Sequence, residues 1–544
     1  MNKFNIIVLS LIVTFAFLIR LSGINFGLPS ENLALSTYNP DEQNTYHTIE
    51  KWKPSELKFP AGQVLHWGNL HLMGVVSSLA IAKIAGYIKT GNRDFFINNL
   101  KEADRLYIVG RMVSVILGTL SVLAIYFLAV KIFNSSSAGL FCAYILAILP
   151  MHVVNSFYVR PDVMMMFFLL LTMYFSIEIV NANRASSYIY CGLFLGLSAA
   201  TKYSAGSYVL MPILAHFLRR EYSIGLKERI INKNLILCSL VAFLAFIIGC
   251  PYAIVDVYSF IAAIRHGISL AGGSWHEEFG HIPAAWRYIT WYLPYGMGIP
   301  FVIFSAAGFL LLALKKKREL LLITISGALI FFITTRSRFQ AVWHTFPVIP
   351  FFVLSSGYFV YSLWNAKKRI IRILSVGVLF FVFAYSLIYS LAVLNLYRAK
   401  NTRKEASEWI EKNISYGSKI AIARSYFWTP GILRQYNPPY KLLMGGDPVH
   451  SSVGEAVLGL EKILSEAEYV VLTEYEYRSF LHPKLEKYFP KQAKIIKDIF
   501  SETRFKKIAE LDKEAKFLWF TFKRNYPPSD WLIPNPEIVI FKKK

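Results

Sequence analysis

Long apolar runs separated by short basic clusters constrain this chain more than any other feature. Eleven such runs are readable: 4–23, 106–131, 137–157, 163–181, 187–201, 203–218, 233–250, 297–314, 319–335, 341–362 and 370–394. A helix needs about 20 mostly apolar residues to cross a bilayer. The 544 residues are 55% hydrophobic and 17% charged, where soluble domains carry about 25% charged residues. The pattern excludes a soluble enzyme and a disordered chain, and predicts a polytopic α-helical membrane protein. The formal charge of +24 does not signal nucleic acid, because Lys and Arg sit between apolar runs, as topology signals do. The first run ends at Arg20-Leu21 without a small-residue cleavage site, so it reads as a retained span, not a signal peptide. The four cysteines, Cys142, Cys191, Cys238 and Cys250, lie in or beside apolar runs and include no CxxC, which argues against a disulfide framework or zinc ribbon.

Charge orders the runs. Arg219-Arg220, Lys315-Lys316-Lys317-Arg318 and Lys367-Lys368-Arg369 all belong in the cytoplasm by the positive-inside rule. Counting from Lys3, that requires the apolar stretch 65–88 to be a juxtamembrane or re-entrant helix. It also requires Ser187 to Leu218 to form two short spans broken near Lys202. The first loop (23–104), the turn Tyr158 to Asp162, the loop Pro251 to Gly296 and the turn Arg336 to Phe339 then share the external face. So does the chain after Leu394. The division expected is a membrane domain over 1–394 and an extracytoplasmic α/β domain over 395–544. Arg403 to Ile414 reads as an amphipathic helix. Lys419–Ala423, Tyr469–Thr473, Lys516–Phe522 and Glu537–Phe541 read as strands.

Several charged residues then converge on one face. Asp41 and Glu42, in Asn39-Pro40-Asp41-Glu42-Gln43, are adjacent carboxylates suited to a general base and a positioning or metal-binding partner; the bland alternative is a helix N-cap at Asp41. Asp162 stands where a span enters the membrane, with capping after Pro161 as its alternative. Lys202 is alone in a long apolar region, and Arg20, Arg160, Arg265, Arg336 and Arg338 complete the basic set. Snorkelling accounts for many such cations, yet cations beside carboxylates also suit a phosphate leaving group. His66, His71 and His266 are placed to hydrogen-bond a polar substrate. His276-Glu277-Glu278-Phe279-Gly280-His281 has one residue too many for HExxH, leaving its histidines about 140° apart on a helix.

The order of these motifs resembles the GT-C membrane glycosyltransferases. The likeness is to the superfamily of dolichyl-phosphate-mannose protein mannosyltransferases and aminoarabinose lipid A transferases. It is carried by Leu18-Ile19-Arg20-Leu21-Ser22-Gly23, by Pro40-Asp41-Glu42 and by the helix from Arg111 to Leu120. Further on come Ala147 to His152, Arg160-Pro161-Asp162, Gly192 to Tyr203, and Ser337-Arg338-Phe339 with Pro347 and Pro350 behind. Leu65 to Leu70 stands where the family often has Pro-Pro-Leu, and Arg338-Phe339 where it favours Arg-Tyr.

The resemblance implies a GT-C fold of about 11–13 transmembrane helices. It implies inverting transfer of a hexosyl or pentosyl group from a polyprenyl or dolichyl phosphate to a lipid, glycan or protein hydroxyl, on the external face of the cell membrane. Asp41 matches the catalytic base, with Glu42 and Asp162 positioning acceptor and donor. Lys202 and Arg338 are candidates for the lipid phosphate by this likeness, and Arg265 by its region rather than by a motif; Arg336, Arg160, His266 and His66 complete the expected substrate-binding set. No cofactor, no resident metal and no nucleic-acid partner are expected, with a divalent ion left open. The other readings are an oligosaccharyltransferase or polymerase using a diphosphate-linked glycan, and a lipid or solute transporter.

Overall fold

The computed structural model describes residues 2–56, 58, 67–182, 184–219, 232–272, 283–435, 437–447 and 450–544. The N-terminal part is helical: α1 (Lys3–Leu21), α2 (Pro40–Glu50), α3 (Asn69–Ile84), α4 (Leu100–Phe133), α5 (Ser136–Ile148), α6 (Pro161–Ala182) and α7 (Ala185–Thr201). There follow α8 (Leu210–Leu218), α9 (Lys233–Gly249), α10 (Val257–Gly272), α11 (Ile299–Ala313), α12 (Arg318–Thr334), α13 (Ile349–Trp364) and α14 (Arg369–Arg398). Every apolar run in the sequence is a helix over most of its length. Among the described residues four helices are long and apolar enough to cross a bilayer: α1, α4, α6 and the one that starts at Arg369. A fifth span arises if Ala284–Met297 and Ile299–Ala313, bent by 119°, are counted together. Others are shorter than their runs. The run 137–157 breaks where Leu149 turns extended before Pro150, and 341–362 starts its α-helix only at Ile349.

Proline at the first helical turn sets several of these starts, since its missing N–H is unneeded there; Pro40, Pro161 and Pro350 all sit so. In α7, Gly192 and Gly196 are one turn apart. A Cβ on either would lie 2.3 Å from Cys238 O or 2.2 Å from Ala242 O, so the glycines let α7 and α9 meet backbone to backbone.

The chain reverses at Lys202. The Tyr188 hydroxyl near the start of α7 is 2.6 Å from His216 Nδ1 near the end of α8, so the two helices run antiparallel. Arg318, starting α12, donates to Arg219 O at 2.8 Å, which sets two of the basic clusters at one end of the bundle. Lys131, ion-paired with Glu178, marks the same end of α4 and α6. Asp162, Lys202 and the 336–339 turn therefore sit at the opposite end.

Beyond α14 the chain forms α15 (Thr402–Asn413), β1 (Lys419–Ile422), β2 (Lys441–Met444), α16 (Val453–Ile463), β3 (Tyr469–Thr473), α17 (Glu474–Leu481), α18 (Pro490–Phe500), β4 (Phe505–Leu511), β5 (Ala515–Phe517), β6 (Phe520–Phe522) and β7 (Ile538–Lys543). The five-stranded sheet has the order β2-β1-β3-β7-β4, with β1 parallel to β2 and β3, and β7 antiparallel to β3 and β4. The single strand expected over Lys516–Phe522 is instead the hairpin β5–β6, whose Phe522 packs on Tyr385 and Tyr389 of α14. Strands β2 and β4 were not foreseen: β2 is largely open to solvent and β4 is rich in Lys and Glu, so neither carries a clear apolar alternation.

Candidate active site

Four charged residues form a row at one end of the helical bundle. One Arg160 nitrogen, Nη2, lies 3.1 Å from Asp41 Oδ2 and 3.4 Å from Asp162 Oδ2, and Lys202 Nζ lies 2.8 Å from Asp162 Oδ1. Arg160, Asp162 and Lys202 are buried; the Asp41 side chain, 23% exposed, is the accessible member. Such pairs hold buried charge only while each partner is present.

Local structure explains each position. Asn39, not Asp41, caps α2, accepting from Asp41 N at 3.1 Å, so the Asp41 carboxylate is released from capping. Asp162 enters α6 just after Pro161 and spends its oxygens on Lys202 and Arg160. Lys202 is the extended residue between α7 and a 3-10 turn, and is bridged to Trp67. Gly68 N donates to Thr201 O at 3.1 Å, and a Cβ on Gly68 would stand 1.9 Å from Ala200 O. Only glycine admits that approach.

Glu42 is not in the row. It is fully buried, pairing with both Arg111 Nε (2.9 Å) and Nη2 (2.7 Å) while accepting from Thr37 Oγ1 (2.6 Å) and Val159 N (2.8 Å). Arg111 also donates to Ile24 O and Phe26 O, both at 2.7 Å. This closed network ties the first loop, α4 and the 158–160 turn together, leaving Glu42 no free lone pair for a substrate. Its position is therefore structural beside Asp41.

Burial raises the Asp41 carboxyl above its ordinary value, against the pull of the Arg160 guanidinium and with some push from Asp162. A carboxylate tuned upward suits a general base. The Arg160 guanidinium also lies 3.9 Å from the centre of the Trp343 ring.

Beside the row opens a cavity of about 480 Å³. Asp162, Lys202 and His344 stand at its polar part; Ile264, Ile268 and Ile333 represent its apolar wall. Its lining, charged at one part and apolar at the other, suits an amphiphile with a charged head and an apolar tail. Among the described residues no three His, Cys, Asp or Glu side chains are grouped to hold a metal ion.

The remaining expected residues lie elsewhere. Arg336 is exposed over Phe332, at 4.1 Å. Arg338 is exposed, its backbone N–H donating to Ala271 O at 2.8 Å and its carbonyl accepting from Arg287 Nη2 at 3.0 Å. These bonds fix the turn at the cavity wall formed by Ser337 and Phe339, but no side-chain contact joins Arg338 to the row. Arg265 and His266 are exposed on α10. His66 and the His276 to His281 motif lie outside the described residues. Sequence reasoning passed over Trp343 and His344, although an aromatic-histidine pair five residues after Arg338 was a usable signal. His71 is buried near Asp162 and Arg160.

The C-terminal part grips this end of the bundle. The Arg403 guanidinium stacks on Tyr38 at 3.8 Å, Arg434 Nη1 donates to Asn32 Oδ1 at 3.0 Å, and Asp530 Oδ2 accepts from Val342 N at 2.7 Å. Trp291 Nε1 donates to Tyr526 O at 2.9 Å.

Residues 104–253 match the family model described as dolichyl-phosphate-mannose-protein mannosyltransferase. The chain resembles the GT-C membrane glycosyltransferases. The segment matched by this mannosyltransferase model holds Arg111, Arg160, Asp162 and Lys202, and the match supports glycosyltransferase activity in a multi-pass membrane protein. No curated protein matches the sequence. Among solved structures, ArnT from Cupriavidus metallidurans bound to undecaprenyl phosphate is similar at 12% identity and a TM-score of 0.49, covering 98% of this chain and 97% of that one. An Archaeoglobus fulgidus oligosaccharyltransferase in complex with Zn and sulfate is similar at 13% identity and a TM-score of 0.46, covering 90% and 71%. The arabinofuranosyltransferase AftD from Mycobacteria is similar at 11% identity and a TM-score of 0.42, covering 98% of this chain and 41% of that one. Identities this low carry no residue roles over to this chain.

Proposed function

We propose that the protein transfers a sugar from a polyprenyl or dolichyl phosphate to an acceptor hydroxyl, with inversion, on the extracytoplasmic side of the cell membrane. The observation that carries the reading is the coupling, through Arg160, of an accessible, upward-tuned carboxylate, Asp41, to an apolar cavity whose charged end is Lys202 and Asp162. The family description, with its lipid-phosphate sugar donor, supports the donor class.

In this reading the lipid tail lies along the apolar wall and the donor phosphate meets Lys202. Asp41 takes the proton of the acceptor hydroxyl. The acceptor oxygen attacks the anomeric carbon from the side opposite the phosphate, the bond from that carbon to the phosphate oxygen breaks, and the lipid phosphate leaves with the electron pair. Arg160 orients Asp41 and shares its charge, while Asp162 holds Lys202 and Arg160 in place. No nucleotide is needed, because the phosphate linkage already activates the sugar. The domain boundary near residue 394 and the extracytoplasmic placement of the C-terminal part belong to the same reading.

The test is sugar transfer by purified full-length protein from a polyprenyl-phosphate sugar, with mass readout of product. Asp41→Asn is expected to lower transfer by about 10²–10⁴-fold while still binding the donor. Full turnover by that variant would overturn the assignment of the base.

A further inference from the structure

A second cavity, of about 680 Å³, lies apart from the row, between α2, α3, the segment 88–96 and the start of α4. Its wall is apolar on the α3 side, where Val76, Leu79 and Ala80 follow one helical stripe, and Ile88 closes it. Its rim is basic: Lys83 continues that stripe, and Lys89 and Arg93 follow in the next segment. Lys89 shares Glu102 with Arg105, at 3.5 Å and 3.3 Å. Lys83 and Arg93 are exposed and have no ion-pair partner among the described residues. The lining carboxylate Glu50 faces His47 at 3.7 Å. The lining therefore carries an excess of positive charge over an apolar floor.

The surroundings indicate what reaches it. On α3, Ile81 and Ile84 flank the cavity stripe and are 68% and 87% exposed. In a membrane protein such a helix side faces acyl chains. Lys83 stands on the adjoining face, within the last turn of α3, where the chain passes from apolar to polar sequence. Cations at that boundary attract anionic lipid head groups.

We propose that this cavity binds a bilayer lipid with an anionic, phosphate-bearing head group. Lys83, Lys89 and Arg93 take the phosphate, and one acyl chain lies along Val76, Leu79 and Ala80. The proposal is independent of the transfer reaction: the cavity shares α2 with Asp41, yet none of the row's charged residues lines it.

The probe is phosphatidylglycerol, titrated into full-length protein in a neutral detergent and followed by native mass spectrometry and thermal melting. Phosphatidylcholine and glycerol phosphate serve as controls. Phosphatidylglycerol is expected to bind and raise the melting temperature, with both controls at least tenfold weaker. The double variant Lys83→Ala/Arg93→Ala removes two exposed, unpaired side chains and is expected to weaken binding about 30-fold. Ala80→Trp, which fills the chain groove, is expected to weaken it without altering charge. Equal binding of phosphatidylcholine, or an unchanged double variant, overturns the anionic head-group site. Glycerol phosphate binding as tightly as phosphatidylglycerol overturns the lipid.

Discussion

Arg160 reaches Asp41 and Asp162 with one and the same nitrogen, at 3.1 Å and 3.4 Å. The accessible carboxylate is thus coupled to the buried pair behind it, and a change at one end of the row is felt at the other.

The acid limb of activity follows from that coupling. Asp41 must be ionised to act as a base, and burial lifts its carboxyl above the ordinary 3.8. Activity therefore falls with acidification earlier than for an unperturbed aspartate. Arg160 is the largest influence lowering this group. Arg160→Gln should move the limb of kcat/KM to higher pH and reduce the rate, whereas Asp41→Asn should lower kcat by about 10²–10⁴-fold above the limb and show no limb of its own. A limb unmoved in Arg160→Gln would show that Asp41 does not set it.

Lys202 and Asp162 separate stability from catalysis. Lys202→Met alone leaves the buried Asp162 carboxylate with Arg160 as its one remaining cation, itself shared with Asp41, so the loss stays below the about 3–5 kcal/mol of a buried pair broken outright. Lys202→Met with Asp162→Asn should melt closer to the parent, because the under-compensated carboxylate is gone, and yet stay inactive if Lys202 meets the donor phosphate. Restored activity in the double variant would leave the pair a purely structural role. Melting temperature and product yield, read on the same preparations, decide it.

Glu42 yields the opposite pattern from its neighbour. Its four donors hold the first loop to α4, so Glu42→Gln leaves Arg111 buried without its countercharge. The expected outcome is a drop of several kcal/mol in stability, with the folded fraction keeping its pH profile. A variant that melts like the parent but loses turnover would return Glu42 to the chemistry.

These outcomes mark how far the residues themselves could be read. The apolar runs dictated the helices, and the basic clusters predicted the reversal at Lys202, which the Tyr188 to His216 contact shows. Asp41, Arg160, Asp162 and Lys202 were legible because charges are costly near a membrane and stand out against apolar neighbours. Glu42 and Asp41 look alike as adjacent carboxylates. Only the fold reveals that Arg111, 69 positions away, claims one and leaves the other open. Trp343 and His344 were obscured inside a run read as a span. Strand β2 escaped notice because its pairing with β1, not its own pattern, makes it a strand.

Asp530 supplies a last prediction, about how the C-terminal part docks. Its carboxylate accepts from Val342 N at 2.7 Å, next to Trp343 and His344, and burial pushes its pKa from 3.8 to about 7. Between those values the folded protein binds a proton that the unfolded chain has released, so stability falls as pH rises through this window. Glu537, pushed from 4.5 to about 7 with burial as the first cause, has the same sign. Melting temperature should therefore decline from pH 5 to pH 7. Asp530→Asn, which keeps an acceptor for Val342 N but cannot ionise, should remove part of that slope and leave the share of Glu537 and of the other raised carboxyls, Asp41 among them. A slope identical to the parent's would mean that Asp530 titrates normally in the folded protein and that the contact with Val342 holds the two parts together equally well at either end of the range.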